Sequence, residues 1–134
     1  MKKDIPVKKV EDVFVAIAPK LTDPEGELWE VFVINLKPDP IKNVLIASKG
    51  YGELDGEEVK TSVLRHFFDQ VEGSSYQQVE QIQTKVFGLN NEYWLSFSFD
   101  NFLYDRKFTF VSDSIQKDHF TTVPILNRPG VMIA

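Results

Sequence analysis

Short apolar segments separated by turn-forming residues run along the whole chain. Within most of them, apolar and polar positions alternate with a period of two, which is typical of β-strands. The connecting segments are rich in Pro, Gly, Asp and Asn, which turns favour. The apolar segments cover residues 13–18, 28–36, 43–49, 62–68, 76–83, 93–99, 102–111, 123–126 and 131–133. This pattern predicts one all-β domain over residues 1–134, an immunoglobulin-like antiparallel β-sandwich of about seven to nine strands.

Two segments also fit a helical pattern. In "TSVLRHFFDQV", residues 61–71, apolar side chains recur three or four residues apart after a Thr and a Ser that can cap a helix. The segment "SSYQQVEQIQTKVF", residues 74–87, has a similar stripe. An α+β fold with helices near 61–72 and 75–87 is therefore the alternative. Strands are favoured, because "VEGSSYQQVE" has the character of a turn between two strands.

The aromatic stretch "NEYWLSFSFDNFLYDRKFTFVS", residues 91–112, predicts a β-hairpin. Its Asp-Asn pair at 100–101 has the residue types of a two-residue turn with positive φ at both positions. The turn fixes these cross-strand pairs on one face: Phe99 with Phe102, Phe97 with Tyr104, Leu95 with Arg106, and Tyr93 with Phe108. The other face, which holds Trp94, is mostly polar. We therefore expect the aromatic face to line the core and not to form a ligand-stacking platform.

Arg106 is the one charged side chain on this predicted aromatic face. A guanidinium buried there without a partner would be very unfavourable. We expect its stem to cover the rings while its head reaches the sheet margin, in cation–π contact with Tyr93 or Phe108. The alternative is a bidentate pair with a carboxylate from another strand.

Composition and charge narrow the classes of function. Hydrophobic residues make up 43% of the chain and charged residues 26%, as in an ordinary globular domain. The absence of cysteine excludes disulfides, Cys-ligated zinc and thiol catalysis. A net charge of −5 argues against nucleic-acid binding. No apolar run is long enough to span a membrane, so we expect a cytoplasmic protein without membrane contact.

Catalytic and cofactor motifs are absent from the sequence. The two histidines, His66 and His119, are the candidates for acid–base chemistry, but no nucleophile motif accompanies either of them. A histidine within reach of a carboxylate and a cleft would favour a hydrolase-like enzyme. The acidic segment 53–58 lacks the spacing of a calcium loop, and no glycine-rich phosphate loop is present. We therefore expect no catalysis, no metal and no cofactor.

The segment "KGYG", residues 49–52, is the best candidate for a contact surface. A tyrosine between two glycines on a predicted loop, here Lys49–Glu58, can make contact with a partner at little cost. The alternative, which the ordinary burial of aromatic side chains favours, is that Tyr51 folds back over the end of the sandwich. We take the following as candidate binding residues: Lys49, Tyr51, Arg65 and His66. The function predicted is a non-catalytic protein-interaction module, with another protein as partner. The alternative is a small-ligand or metal-ion binding domain that uses loops at one end of the sandwich.

Four stretches carry a resemblance to a known family. They are "SKGYG" at 48–52, "TSVLRHFF" at 61–68, "VFGLNNEYWLSFSFD" at 86–100 and "RPGVMI" at 128–133. The chain resembles an uncharacterised family of short bacterial β-rich proteins, whose motifs imply no known chemistry. Such proteins sometimes bear the label phenylalanyl-tRNA synthetase alpha subunit. That activity needs a much larger catalytic sheet with ATP-holding arginines, whereas the arginines here are Arg65, Arg106 and Arg128.

Overall fold

The computed structural model describes residues 7–133, with side chains described from residue 9 onward. Strands dominate this range, and its helical segments are two single 3-10 turns at Thr84–Val86 and Lys117–His119. The strands, in chain order, are β1 (Val7–Lys8), β2 (Val13–Pro19), β3 (Leu28–Asn35), β4 (Ile41–Leu54), β5 (Glu57–Lys60), β6 (Leu64–Val71), β7 (Ser75–Gln83), β8 (Asn90–Phe99), β9 (Phe102–Phe110), β10 (Thr121–Val123) and β11 (Arg128–Ile133).

These strands form two sheets that pack face to face. The first has the order β1-β9-β8-β4-β5, and β6 also pairs with β4, on the edge away from β8. The second has the order β10-β11-β2-β3-β7. All of these pairs are antiparallel except β1 with β9, which is parallel. The predicted all-β antiparallel sandwich is thus confirmed.

The two ambiguous segments are strands, so the α+β alternative is wrong. Residues 64–71 form β6 and residues 75–83 form β7. The number of strands is larger than predicted, with eleven in the described range. The additional ones are short: β1 and β5 contain two and four residues. The segment predicted at 123–126 is a strand at Thr121–Val123. Strands of that length are too short to show a period of two in the sequence.

The main core lies between the two sheets. Side chains that alternate along β2, such as Val13, Val15 and Ile17, meet aromatic side chains of β8 and β9 there. The intervening residues of β2 belong to a second, smaller cluster on the other side of the second sheet. That cluster consists of Ala16, Ala18, Phe32, Ile34 and Val123, with Phe14, Leu36, Ile125, Leu126 and Met132 packed against it. Both faces of β2 are therefore buried, and this strand is apolar throughout.

The β8–β9 hairpin forms as predicted. Asp100 and Asn101 have φ angles of 52° and 65°, the left-handed values that a two-residue turn requires. All four predicted cross-strand pairs occur in the structure. The aromatic face is buried, with Phe97 only 1% exposed, whereas Trp94 on the other face is 48% exposed. The aromatic stretch is therefore a wall of the core.

Arg106 lies partly buried on that face. Its guanidinium carbon is 4.3 Å from the ring centroid of Phe108. The predicted cation–π contact with Phe108 is therefore present. The same face also has a stacked pair, Phe97 and Tyr104, whose ring centroids are 5.1 Å apart.

Residues 72–74 carry the chain from the first sheet to the second. The turn predicted at this point is present, but β6 and β7 do not pair as a hairpin, because they belong to different sheets. The crossover is held by Asn35, which is fully buried at the end of β3. Its Nδ2 amide group donates hydrogen bonds to the backbone oxygens of Asp39, Val71 and Glu72. One side chain thus ties three segments together where the chain changes sheets.

Candidate functional site

β6 is an exposed edge strand of the first sheet. Within the described part of the chain it pairs only with β4, so its other edge has no strand beside it. Its sequence, "LRHFFDQV", contains neither lysine nor proline, residues that commonly protect sheet edges from unwanted pairing. Two of its apolar side chains are exposed, Leu64 by 50% and Phe67 by 58%. An edge of this kind can accept an additional strand from another chain.

The outward-facing side chains beside this edge form an apolar patch. Phe67 is directly opposite Leu45 of β4, and both are exposed. Trp94 of β8 lies diagonally across from Leu45, since Leu45 pairs with Ser96. We call the free edge of β6 together with Leu45, Phe67 and Trp94 the docking surface. Exposed apolar patches that adjoin one another in this way are typical of protein contact sites.

Charged groups surround the docking surface. Arg65 and Asp69 flank Phe67 on the same face of β6, and both are exposed. On the far side, the ammonium group of Lys107 lies 5.1 Å from the Trp94 ring, and the Trp94 indole donates a hydrogen bond to Asp105. An apolar centre with a polar rim is the usual arrangement of a protein interface.

β7, the long edge strand of the second sheet, differs from β6. Its pairing with β3 is interrupted by a β-bulge at Val31/Phe32, and bulges discourage further pairing at an edge. It is also largely polar, with glutamines at Gln77, Gln78, Gln81 and Gln83. Of the two edge strands β6 and β7, β6 is therefore the better one to accept an added strand.

The bulge in β7 has a second consequence, because it turns two successive side chains toward the first sheet. Val31 pairs with Glu80 and Phe32 pairs with Gln78, so Val79 is the extra residue. Val79 packs into the main core, and the Glu80 carboxylate lies among polar groups from the facing sheet. A regular strand would have directed one of these two neighbours away from the core.

Glu80 is the centre of a polar group beneath β6, which we call the Glu80 cluster: Ser48, His66, Glu80 and Tyr93. His66 Nε2 lies 2.8 Å from Glu80 Oε1, and the Ser48 hydroxyl donates to the same oxygen over 3.0 Å. The Tyr93 hydroxyl donates to Oε2 over 3.2 Å. The cluster therefore joins three neighbouring strands of the first sheet to β7.

Burial and the nearby carboxylate act together on Tyr93. Desolvation raises the pKa of the Tyr93 hydroxyl well above its ordinary value, and the charge of Glu80 and its hydrogen bond raise that pKa further. A phenolate there would lose its hydration and face a carboxylate. Tyr93 thus stays protonated and continues to donate to Glu80.

A cleft of about 450 Å³ opens beside the cluster, between β4 and β7. It is lined by Ser48, Glu80 and Tyr93, with Lys49 and Lys85 among its other residues. The Glu80 carboxylate links this cleft to His66, which is not itself a lining residue, so the requirement of a histidine near a carboxylate and a cleft is met only in part. The serine, however, donates to the carboxylate and not to the histidine, so the nucleophile and base of a catalytic triad are not paired.

The hydrogen bonds of the Glu80 cluster instead suit a structural anchor. The effect of burial and of the Glu80 charge on Tyr93 can be tested through the pH dependence of stability. In the unfolded chain Tyr93 loses its proton near pH 10, whereas the folded protein retains it to higher pH. The folded state then binds more protons, so its stability falls as the pH rises above about 10. Tyr93→Phe should remove up to about 1.4 kcal/mol per pH unit from that slope.

Urea unfolding of wild type and Tyr93→Phe between pH 8 and 11 measures this slope. Tyr76→Phe changes a half-exposed tyrosine on the second sheet and should retain the wild-type slope. Equal slopes for wild type and Tyr93→Phe would show that another group causes the alkaline loss.

The structure places the four predicted binding residues on both faces of the first sheet. Lys49, Tyr51 and Arg65 lie on the outer face, where the Lys49 ammonium group is 5.7 Å from the Tyr51 ring and 3.8 Å from Glu92. His66 points inward to Glu80. Only Arg65 and His66 are on β6 itself. His119 is elsewhere, on a 3-10 turn, with its Nδ1 2.7 Å from the Ser114 backbone oxygen.

The predicted loop over 49–58 is wrong except at residues 55–56, because residues 57–58 already belong to β5. Residues 49–54 continue β4, in which 49–51 pair with β8 and 51–54 pair with β5. The turn comes at residues 55–56. Gly50 is closely packed, since a Cβ atom there would lie only 3.1 Å from the side chain of Thr61, which would have to shift by a few tenths of an ångström. Tyr51 is consequently a half-buried strand residue and not the tip of a loop.

Sequence reasoning missed Glu80, Ser48 and Asp69 as site residues. Glu80 had a weak signal, because it is the one charged residue of β7 among glutamines and apolar residues. Its orientation depends on the bulge, and no residue type in "YQQVEQ" marks a bulge at that point. Asp69 had a stronger signal, since it stands four residues after Arg65 on the same face of a predicted strand.

No protein-family model matches the chain, and no curated protein matches it. Among residues 7–133, no helix is long and apolar enough to cross a membrane. In the same range, no three His, Asp or Glu side chains lie close enough together to hold a metal ion.

Proposed function

We propose that the chain is a non-catalytic protein-interaction module that binds an extended segment of a partner by adding it to β6. The observation that carries the proposal is an edge strand with a free side, no lysine or proline and a phenylalanine exposed by 58%. Backbone hydrogen bonds to the added strand would supply affinity, and contacts on the two faces would supply specificity. On the outer face these contacts would come from Leu45, Phe67 and Trp94.

The Glu80 cluster supports this function by holding β6 in place. An edge strand with one neighbour would otherwise be free to bend, and ordering it on binding would reduce affinity. His66 ties its inner face to Glu80 of the other sheet, and Phe68 packs against the main core. His66 and Phe68, which both face inward, thus fix the strand. Its outward-facing residues are therefore held in an ordered arrangement.

A second candidate function is favoured by the cleft beside Glu80. Its volume of about 450 Å³ is in the range of small-ligand pockets. Glu80 Oε2 accepts only the Tyr93 hydroxyl among the described residues and can accept a further donor from a ligand. Such a site would use the space between the sheets, not loops at one end of the sandwich. The absence of cysteine agrees with a cytoplasmic setting for either function.

Photo-crosslinking tests the docking surface. Phe67 is replaced by p-benzoyl-phenylalanine in a tagged chain, the cells that express it are irradiated, and covalent adducts are separated by mass. We expect an adduct from position 67, because this side chain lies at the centre of the docking surface. The matched control carries the same photoreactive residue in place of Tyr76, an exposed aromatic on the second sheet, and should give none.

The proposal is wrong if position 67 gives no more adduct than position 76 while the circular dichroism of both variants matches that of wild type. The mass of the adduct also identifies the class of partner. The untagged chain has a mass of 15.4 kDa. An adduct of twice the mass of the tagged chain means a second copy, and any other mass means a different protein.

A further inference from the structure

We propose that the strand added to β6 is β6 of a second copy of this chain, paired antiparallel about a two-fold axis at Phe67. The inference rests on the proposed function, since it names the partner of the same free edge. It joins the first sheets of two copies into one continuous sheet. Two-fold pairing of identical surfaces is the commonest way in which identical chains associate.

The register follows from the side chains of β6. Directly opposite residues in an antiparallel pair lie on the same face, so the two-fold axis must coincide with one residue. With the axis at Phe67, this residue faces its own copy, and Arg65 of each chain faces Asp69 of the other. On the inner face the same register pairs His66 with Phe68. The outer face then has an aromatic pair at its centre, with an opposite-charge pair on each side.

Neighbouring registers lack this complementarity. An axis at His66 places Arg65 opposite Phe67 and Asp69 opposite Val63. An axis at Phe68 places Phe67 opposite Asp69, so that an aromatic ring faces a charge. The charges of β6 therefore select one register among the three that keep its aromatic residues at the centre.

The groups required for this contact are available. Arg65 and Asp69 are both exposed, and within residues 7–133 neither makes an ion pair. Their own separation along the strand is four residues, or roughly 13 Å, which is too far for a direct bond within one chain. Phe67 is exposed beside Leu45, so pairing would also cover this part of the apolar patch.

Sedimentation equilibrium of the full chain and its charge variants tests the register. We expect wild type to dimerise. Arg65→Asp places Asp opposite Asp at both ends of the contact, and Asp69→Arg places Arg opposite Arg. Each single change should weaken the dimer about tenfold or more at low salt, because two attractive pairs become repulsive. The difference in dimer dissociation constant between wild type and each single variant should shrink at 1 M salt, where the Debye length is about 3 Å.

Two combinations should restore association. The double variant Arg65→Asp/Asp69→Arg exchanges the charges and should dimerise within about threefold of wild type. A mixture of the two single variants should form a heterodimer, since each Asp then faces an Arg. A general loss of fold cannot produce this rescue, which makes the mixture the decisive measurement.

The inference is overturned if wild type is monomeric at millimolar concentration, or if neither the double variant nor the mixture restores the dimer. These failures are distinct from failure of the proposed function. A crosslink from position 67 to a different protein, together with a monomeric wild type, would retain the docking surface and reject self-pairing. Absence of any crosslink from position 67 would reject both.

Discussion

Replacing Phe97 by alanine is expected to lower the free energy of unfolding by about 3–5 kcal/mol. Phe97 is 1% exposed at the centre of the inter-sheet core, and its ring stacks on Tyr104 with 6° between the ring planes. The change removes a buried ring and leaves a cavity that strands fixed on both sides cannot close. Since a domain of this size has a total stability of roughly 5–15 kcal/mol, the variant should be close to unfolding at room temperature.

The matched control is Trp94→Ala, three residues earlier on the same strand. Trp94 is 48% exposed on the outer face, so its loss removes less buried surface and creates no internal cavity. We expect a loss of less than about 1.5 kcal/mol for this control. Urea unfolding of both variants gives the comparison. Equal losses would contradict the assignment of the aromatic face to the core.

The faces and register of this hairpin could be predicted from the sequence because every determinant is local. The two turn residues Asp100 and Asn101 fix which positions pair, and alternation then fixes the faces. The same local reasoning favoured strands over helices for β6 and β7. In that case the turn chemistry at residues 72–75 outweighs the helical spacing of the apolar side chains.

The site could be predicted only in part, because it depends on contacts between distant strands. The sequence predicts Arg65 and His66 as binding residues, but nothing in "LRHFF" shows that one edge of this strand is free. The turn predicted at 72–75 between two strands crosses from one sheet to the other, so that β6 becomes an edge of one sheet and β7 an edge of the other. The inward direction of Glu80 depends on a bulge opposite β3. Pairing partners and bulges of this kind are set by the whole sandwich.

This crossover is the basis of the second large effect, which is expected for Asn35→Asp. The two side chains have nearly the same shape, but Asp replaces the NH₂ donor with an oxygen. The Asn35 amide nitrogen lies 3.0 Å from the Asp39 oxygen, 3.3 Å from that of Val71 and 3.0 Å from that of Glu72. A buried carboxylate would face three carbonyl oxygens without a proton to share. We expect a loss of about 3–5 kcal/mol at pH 7.

The stability loss of Asn35→Asp should depend on pH, and burial of the new carboxyl group determines the direction of that dependence. Burial beside carbonyl oxygens raises the pKa of the new carboxyl above its value in the unfolded chain. The folded variant then binds a proton that the unfolded chain releases, so its stability increases as the pH falls toward the unfolded value near 4. The gap between wild type and variant in urea unfolding should therefore narrow from pH 7 to pH 5.

Asn35→Ala provides the control without charge. It removes the same donors and leaves the carbonyl oxygens unsatisfied, for which we expect a smaller loss of about 1–3 kcal/mol that does not change between pH 7 and pH 5. The orientation of the Asn35 amide is supported by the backbone N–H of Lys37, which donates to its Oδ1 over 3.0 Å. If Asn35→Asp were as stable as Asn35→Ala at pH 7, the carboxylate would have found donors at the crossover. Asn35 would then not be the donor that ties β3 to the point where the chain changes sheets.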